Sequence, residues 1–95
     1  VITLMGYTFK ENCSDIRNTK IYDLAISLKN YGANISIWDP FLTKETQEEL
    51  SKNNIISYTN EPNEVQLAFI CVYHEEILNF LKDYSGTIYD FRKVN

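Results

Sequence analysis

Apolar positions recur along this chain with two periods, one suited to strands and one to helices. Val1-Ile2-Thr3-Leu4-Met5-Gly6-Tyr7-Thr8-Phe9 is mostly apolar and rich in β-branched and aromatic side chains, which predicts a strand buried on both faces. A polar loop follows from Lys10 to Asn18. Ile21, Leu24, Ala25 and Leu28 then fall at i, i+3, i+4 and i+7, one apolar stripe on a helix. Asp15 or Asn18 can cap its start, and Gly32 stands where a left-handed residue is wanted at its end. Ile35-Ser36-Ile37-Trp38-Asp39 alternates and halts at Pro40, as a second strand should. Thr43 to Lys52 predicts a surface helix with a thin apolar face, chiefly Leu50 with Leu42. Ile55 to Tyr58 is a short strand, and Asn60-Glu61-Pro62-Asn63-Glu64 is turn-rich. Leu67-Ala68-Phe69-Ile70-Cys71-Val72-Tyr73 is the most apolar run and predicts a central strand. Ile77, Leu78, Leu81 and Tyr84 supply a third helix, Ser85-Gly86 ends it, and Thr87 to Phe91 is the last strand.

The order β-α-β-α-β-β-α-β, with connections of helical length, predicts an α/β fold. Its core is an open parallel sheet of about five strands, with helices on both faces in three layers. Right-handed crossovers favour a Rossmann-like arrangement with strand order 3-2-1-4-5. Trp38, Tyr58 and Phe69 fall in strand positions and are expected in the core. No repeat or linker divides the chain, so residues 1–95 are read as one domain. Because it opens inside a strand and stops just past another, it is expected to be a piece excised from something longer.

Composition narrows the classes. Of 95 residues, 44% are hydrophobic and 14% aromatic, enough to offset the entropy of ordering the chain, which excludes disordered and low-complexity classes. The net charge of −4 argues against a nucleic-acid partner or an anionic membrane surface. No apolar run approaches the roughly 20 residues that cross a bilayer, and a cytoplasmic location is expected. Cys13 and Cys71 lie far apart in no ligand spacing, and a single histidine, His74, cannot anchor a metal site by itself. No metal is expected.

In open α/β sheets, ligands bind beyond the carboxyl ends of the strands, where the winding direction switches. For order 3-2-1-4-5 that crevice lies above strands one and four. Phe9, Lys10 and the polar loop belong there, with His74 after strand four. Arg92 follows strand five, two strand spacings away, so Lys10 and Arg92 would root roughly 10 Å apart on one edge. Cationic side chains at that separation can close on a diphosphate. Arg17, at the mouth of the first helix, adds charge where backbone N–H groups already favour anions. Composition alone is met as well by three solubilising surface charges. The GxGxxG cradle of a dinucleotide is absent: no glycine stands between Gly6 and Gly32. Asp39, before Pro40, is read as turn chemistry rather than a ribose-binding acid. His74, lacking a second zinc-ligating histidine, is read as a helix cap or surface group. Cys13 has no paired base, and Cys71 reads as core packing.

The block Phe9-Lys10-Glu11-Asn12-Cys13-Ser14-Asp15-Ile16-Arg17-Asn18-Thr19-Lys20, after a strand ending Gly6-Tyr7-Thr8, resembles the C-terminal UDP-binding domain of the UDP-glucose/GDP-mannose dehydrogenase family. Its wording is most similar to the branch that forms UDP-N-acetyl-hexosaminuronates for bacterial polysaccharide. Trp38-Asp39-Pro40 and Tyr89-Asp90-Phe91-Arg92 extend the resemblance over nearly the whole chain. It implies an NAD-dependent 6-dehydrogenase that oxidises a UDP-sugar C6 alcohol to a carboxylate with two NAD⁺. An N-terminal domain absent from this chain would hold the NAD, and a central helical region would pair the enzyme as a homodimer. Phe9, Lys10 and Arg92 match substrate-binding positions, and Arg17 matches one facing the cofactor. The family's catalytic cysteine and lysine have no counterpart, so this piece alone is expected to be inactive. A stand-alone α/β module for another anion or a protein partner is the alternative. A receiver-type signalling domain is set aside, because Lys10 follows the first strand in place of paired acids.

Overall fold

The structure, a computed structural model, describes residues 2–8 and 19–91. The eight elements in chain order are β1 (Ile2–Met5), α1 (Thr19–Asn30), β2 (Ile35–Trp38), α2 (Lys44–Lys52), β3 (Ile56–Tyr58), β4 (Leu67–Ile70), α3 (Glu75–Lys82) and β5 (Thr87–Asp90). The strands form one parallel sheet in the order β3-β2-β1-β4-β5, the arrangement expected from the sequence. Several strands are shorter than their apolar runs: β1 stops at Met5 and β4 at Ile70. Beyond those points Tyr7, Cys71 and Val72 remain buried.

Strand alternation distributes side chains to two layers. Leu4, Ile35 and Ile37 face Ile21 and Ala25 of α1 and Leu50 of α2. Met5, Trp38 and Ala68 point to the other side, where Ile77, Phe80 and Leu81 of α3 cover them. Two helices therefore pack on one face and one on the other. The α1 stripe is the one the spacing predicts. The connection from β3 to β4 holds no helix, and Ile56 and Tyr58 on edge strand β3 are left exposed. Tyr58 is thus not a core residue, because α2 packs on the other face of β3 and leaves this one open. Trp38 is buried and meets Phe80 edge to face at 5.2 Å, and Phe69 is half-buried against Tyr89.

The helices that feed β2 and β3 end in the same way. Gly32 has φ +95°, its N–H bonds Lys29 O, and the Ala33 N–H bonds Leu28 O. Asn54 has φ 60°, its N–H bonds Ser51 O, and the Ile55 N–H bonds Leu50 O. These paired reverse bonds satisfy the last helical carbonyls and aim the chain back into β2 and β3. At the start of α2, Thr43 Oγ1 accepts the Thr46 N–H at 3.2 Å. The proposed caps of α1, Asp15 and Asn18, lie outside the described residues.

Candidate functional site

The carboxyl ends of β1, β2 and β4 meet at the switch point of the sheet. After Met5 the chain turns at Gly6, whose φ is +106°. A Cβ there would lie 2.6 Å from Val72 Cβ and 2.8 Å from Val72 N, so only glycine lets the two strand ends approach so closely. Met5 O accepts the Cys71 and Val72 N–H groups, and the Gly6 N–H bonds Trp38 O. β1 is thereby held to both neighbours at its last residue.

Asp39 follows β2 and is wholly buried. Pro40 restricts it to extended backbone and ends the strand. Its Oδ1 accepts the Phe41 N–H at 2.8 Å, the turn chemistry read from the sequence. Its Oδ2 reaches across to β1 and accepts the Tyr7 N–H at 2.7 Å, the Thr8 N–H at 2.9 Å and the Thr8 hydroxyl at 3.0 Å. His74, at the head of α3, adds Nε2 at 2.8 Å from the same oxygen. A carboxylate oxygen offers only lone pairs, so this nitrogen carries the ring hydrogen; it also lies 2.7 Å from Thr8 Oγ1. Phe41 lies against the imidazole, with ring centroids 5.0 Å apart.

Burial works to raise the Asp39 pKa. The hydrogen bonds from His74 and from the Thr8, Tyr7 and Phe41 amides outweigh it, leaving the carboxyl below its ordinary value of 3.8. Asp39 is therefore a carboxylate at neutral pH. His74 occupies the helix-cap position by its backbone but makes no side-chain cap bond. The cap position expected from the sequence is thus met by the backbone alone, and the surface reading is not met, because the ring is buried and turned inward to Asp39. Nor is Asp39 free to take a ribose hydroxyl, since both oxygens are committed and neither is exposed.

A threonine, a histidine and an aspartate in contact invite comparison with a nucleophilic triad. A relay would place the aspartate on one ring nitrogen and the hydroxyl on the other. Here one nitrogen, Nε2, touches both, and all three side chains are buried. The cluster is a fastening, not a nucleophile. Its signal in the sequence was slight: an Asp-Pro after one strand and a histidine after another, brought together only by topology.

Beside it, the Tyr73 hydroxyl donates to an Asp90 carboxylate oxygen, tying the ends of β4 and β5 together. Cys71 is buried, and burial, with the Asp90 charge adding to it, pushes its thiol up to about 12. It is a core residue, as expected. Among the described residues no group of histidine, cysteine, aspartate or glutamate could hold a metal, and no helix is long and apolar enough to cross a membrane. A cavity of about 650 Å³ runs beside α2 and β3, lined by Lys44, Gln47 and Ile56 among others, and by no residue of the cluster.

The substrate-binding candidates Phe9, Lys10 and Arg92 and the cofactor-facing candidate Arg17 lie outside the described residues, as does Cys13. The chain enters Phe9 directly from the clamped Thr8, and it leaves Phe91 at the end of β5. These two strand ends stand on the same edge of the sheet with β4 between them. Gly6 is engaged against Val72, and no other glycine precedes Gly32 in the sequence.

Residues 3–94 match the UDP binding domain of the UDP-glucose/GDP-mannose dehydrogenase family, and the chain belongs to that family. It is 33% identical over 89 residues to Protein CapL of Staphylococcus aureus, covering 94% of this chain and 21% of that protein. It is 46% identical over 44 residues to the UDP-N-acetyl-D-glucosamine 6-dehydrogenases of Pseudomonas aeruginosa and Salmonella typhi, covering 46% of this chain and 10% of each. The chain thus spans about a fifth or less of the length of these relatives. No solved structure matches it.

Proposed function

We propose that this chain forms the nucleotide-sugar wall of an NAD-dependent UDP-sugar 6-dehydrogenase. The observation that carries the reading is the family match over residues 3–94. The two relatives named as UDP-N-acetyl-D-glucosamine 6-dehydrogenases favour an N-acetylhexosamine as the sugar. In the reaction, two hydrides leave C6 for two NAD⁺, and water supplies the second carboxylate oxygen. Neither step is performed by this chain. Its part is to hold the substrate while the NAD-binding domain, outside this chain, receives the hydrides.

Phe9 and Lys10 at the exit of β1 and Arg92 beyond β5 are assigned to the nucleotide sugar. Arg17 is assigned to the cofactor side of the cleft. Arginine suits an anionic ligand because it stays charged and grips phosphate oxygens with two parallel N–H bonds, while lysine adds a compact charge. The support is geometric: the strand ends leading to these residues share one edge at the switch point. The whole enzyme is placed in the cytoplasm as a homodimer, supplying uronates for surface polysaccharide.

The test is a chemical-shift titration of the chain with UDP-N-acetylglucosamine. Lys10 and Arg92 should shift together, and Lys10→Ala should abolish the response. Shifts confined to other parts of the chain would overturn the assignment. An equal response to inorganic pyrophosphate would favour a general anion-binding module.

A further inference from the structure

We infer that Asp39, His74 and Thr8 are positioning residues that set the direction in which the chain leaves β1 toward Phe9 and Lys10. The inference rests on the substrate roles proposed for those two residues.

The five parallel strands are held along their length by their ladders, and this cluster lies beyond the ladder ends. Yet three polar side chains from three strand ends are wholly buried there around one carboxylate oxygen. Burying a charge is costly unless it is hydrogen-bonded, and here both oxygens accept, four donors converging on Oδ2 and the Phe41 N–H on Oδ1. Their targets are specific. The two amides tethered to Oδ2 belong to Tyr7 and Thr8, the last two residues before Phe9. His74, 66 positions further along the chain, holds the Thr8 side chain as well as the carboxylate. Gly6 supplies the turn, and the clamp fixes the course of Tyr7 and Thr8 beyond it. Such a network holds one geometry because each member loses its partner if another moves. A ligand group carried on the next residues needs that rigidity, since displacement by about 1 Å can weaken recognition severely.

Chemical-shift spectra and UDP titrations of the full 95-residue chain test this. Thr8→Val removes only the bridging hydroxyl. His74→Phe removes the imidazole donor, whereas His74→Gln keeps a donor toward Asp39. Ile77→Val, an apolar truncation in the α3 layer that removes no hydrogen bond of the cluster, serves as the stability control. Thr8→Val and His74→Phe should weaken UDP binding on the order of tenfold, His74→Gln should recover most of it, and Ile77→Val should leave it unchanged. The Phe9 and Lys10 amide resonances should move in Thr8→Val without any ligand present, and stay in place in Ile77→Val. Unmoved Phe9 and Lys10 resonances in folded Thr8→Val would overturn the clamp, as would an equal loss of UDP binding in the control. If the unsubstituted chain ignores UDP, the proposed function falls, and the ligand-free resonances alone decide the clamp.

Discussion

His74 Nε2 donates to Asp39 Oδ2 at 2.8 Å with both side chains wholly buried, joining the end of β4 to the end of β2 across the end of β1. This one contact brings together residues 35 positions apart at the switch point of the sheet. The segment to which substrate binding is assigned in the proposed function begins immediately after the residues it secures.

Asp39→Asn should destabilise the fold out of proportion to its size. Every group around the carboxylate is a donor: the Phe41 N–H on Oδ1, and the Tyr7, Thr8 and His74 donors on Oδ2. An amide has one oxygen, so either orientation aims an NH₂ at an N–H. The expected loss is about 2–4 kcal/mol, read from urea unfolding midpoints. A loss below about 1 kcal/mol, the scale of one ordinary hydrogen bond, would contradict the role given to this carboxylate.

Acid should expose the same group. The folded Asp39 pKa lies below its ordinary value of 3.8, so the unfolded chain binds the proton first. Stability from this residue is therefore present in full above about pH 4 and is lost as pH falls through the folded value. Unfolding free energies measured from about pH 5 down to about pH 2 should drop more steeply in the unsubstituted protein than in Asp39→Asn. Parallel curves would show that the carboxylate is not stabilised in the folded state.

Gly6→Ala should lose about 2 kcal/mol or more, because it combines a strained positive φ with a clash against backbone. The added Cβ meets Val72 N at 2.8 Å, which no side-chain rotation can relieve. Gly32→Ala is the comparison. It has a similar φ of +95° but open space around it, so it should lose the conformational part alone. Thermal unfolding of the two variants separates strain from collision, and equal losses would show that the collision costs nothing.

Cys71 should resist alkylation in the folded protein. Its thiol is buried, pushed up to about 12, and directed at Phe69 O at 3.7 Å. In a Cys13→Ser background, iodoacetamide at about pH 8 should modify Cys71 only as fast as the chain unfolds, and denaturant should restore ordinary thiol reactivity. Prompt labelling under native conditions would contradict this burial.

Much of the architecture was legible in the sequence, since hydrophobic periodicity reports on burial one element at a time. The stripe Ile21, Leu24, Ala25 and Leu28 gave α1, the alternation ending at Pro40 gave β2, and Gly32 marked its helix end. With right-handed crossovers these favoured the order 3-2-1-4-5. The limits were local too: Tyr58 looked like a core residue because a strand pattern does not say whether its sheet edge is covered. The motif around Phe9 and Lys10 identified the family, since contiguous residues carry their own signature.

The switch-point clamp could not be read that way. Asp39 appeared as turn chemistry and His74 as a cap or surface group, and each description fits its immediate neighbours. Their contact exists because parallel pairing of β1 with both β2 and β4 brings three strand ends to one place. Local patterns in a chain record which residues avoid water; only the assembled sheet decides which buried polar groups, dozens of residues apart, must satisfy one another.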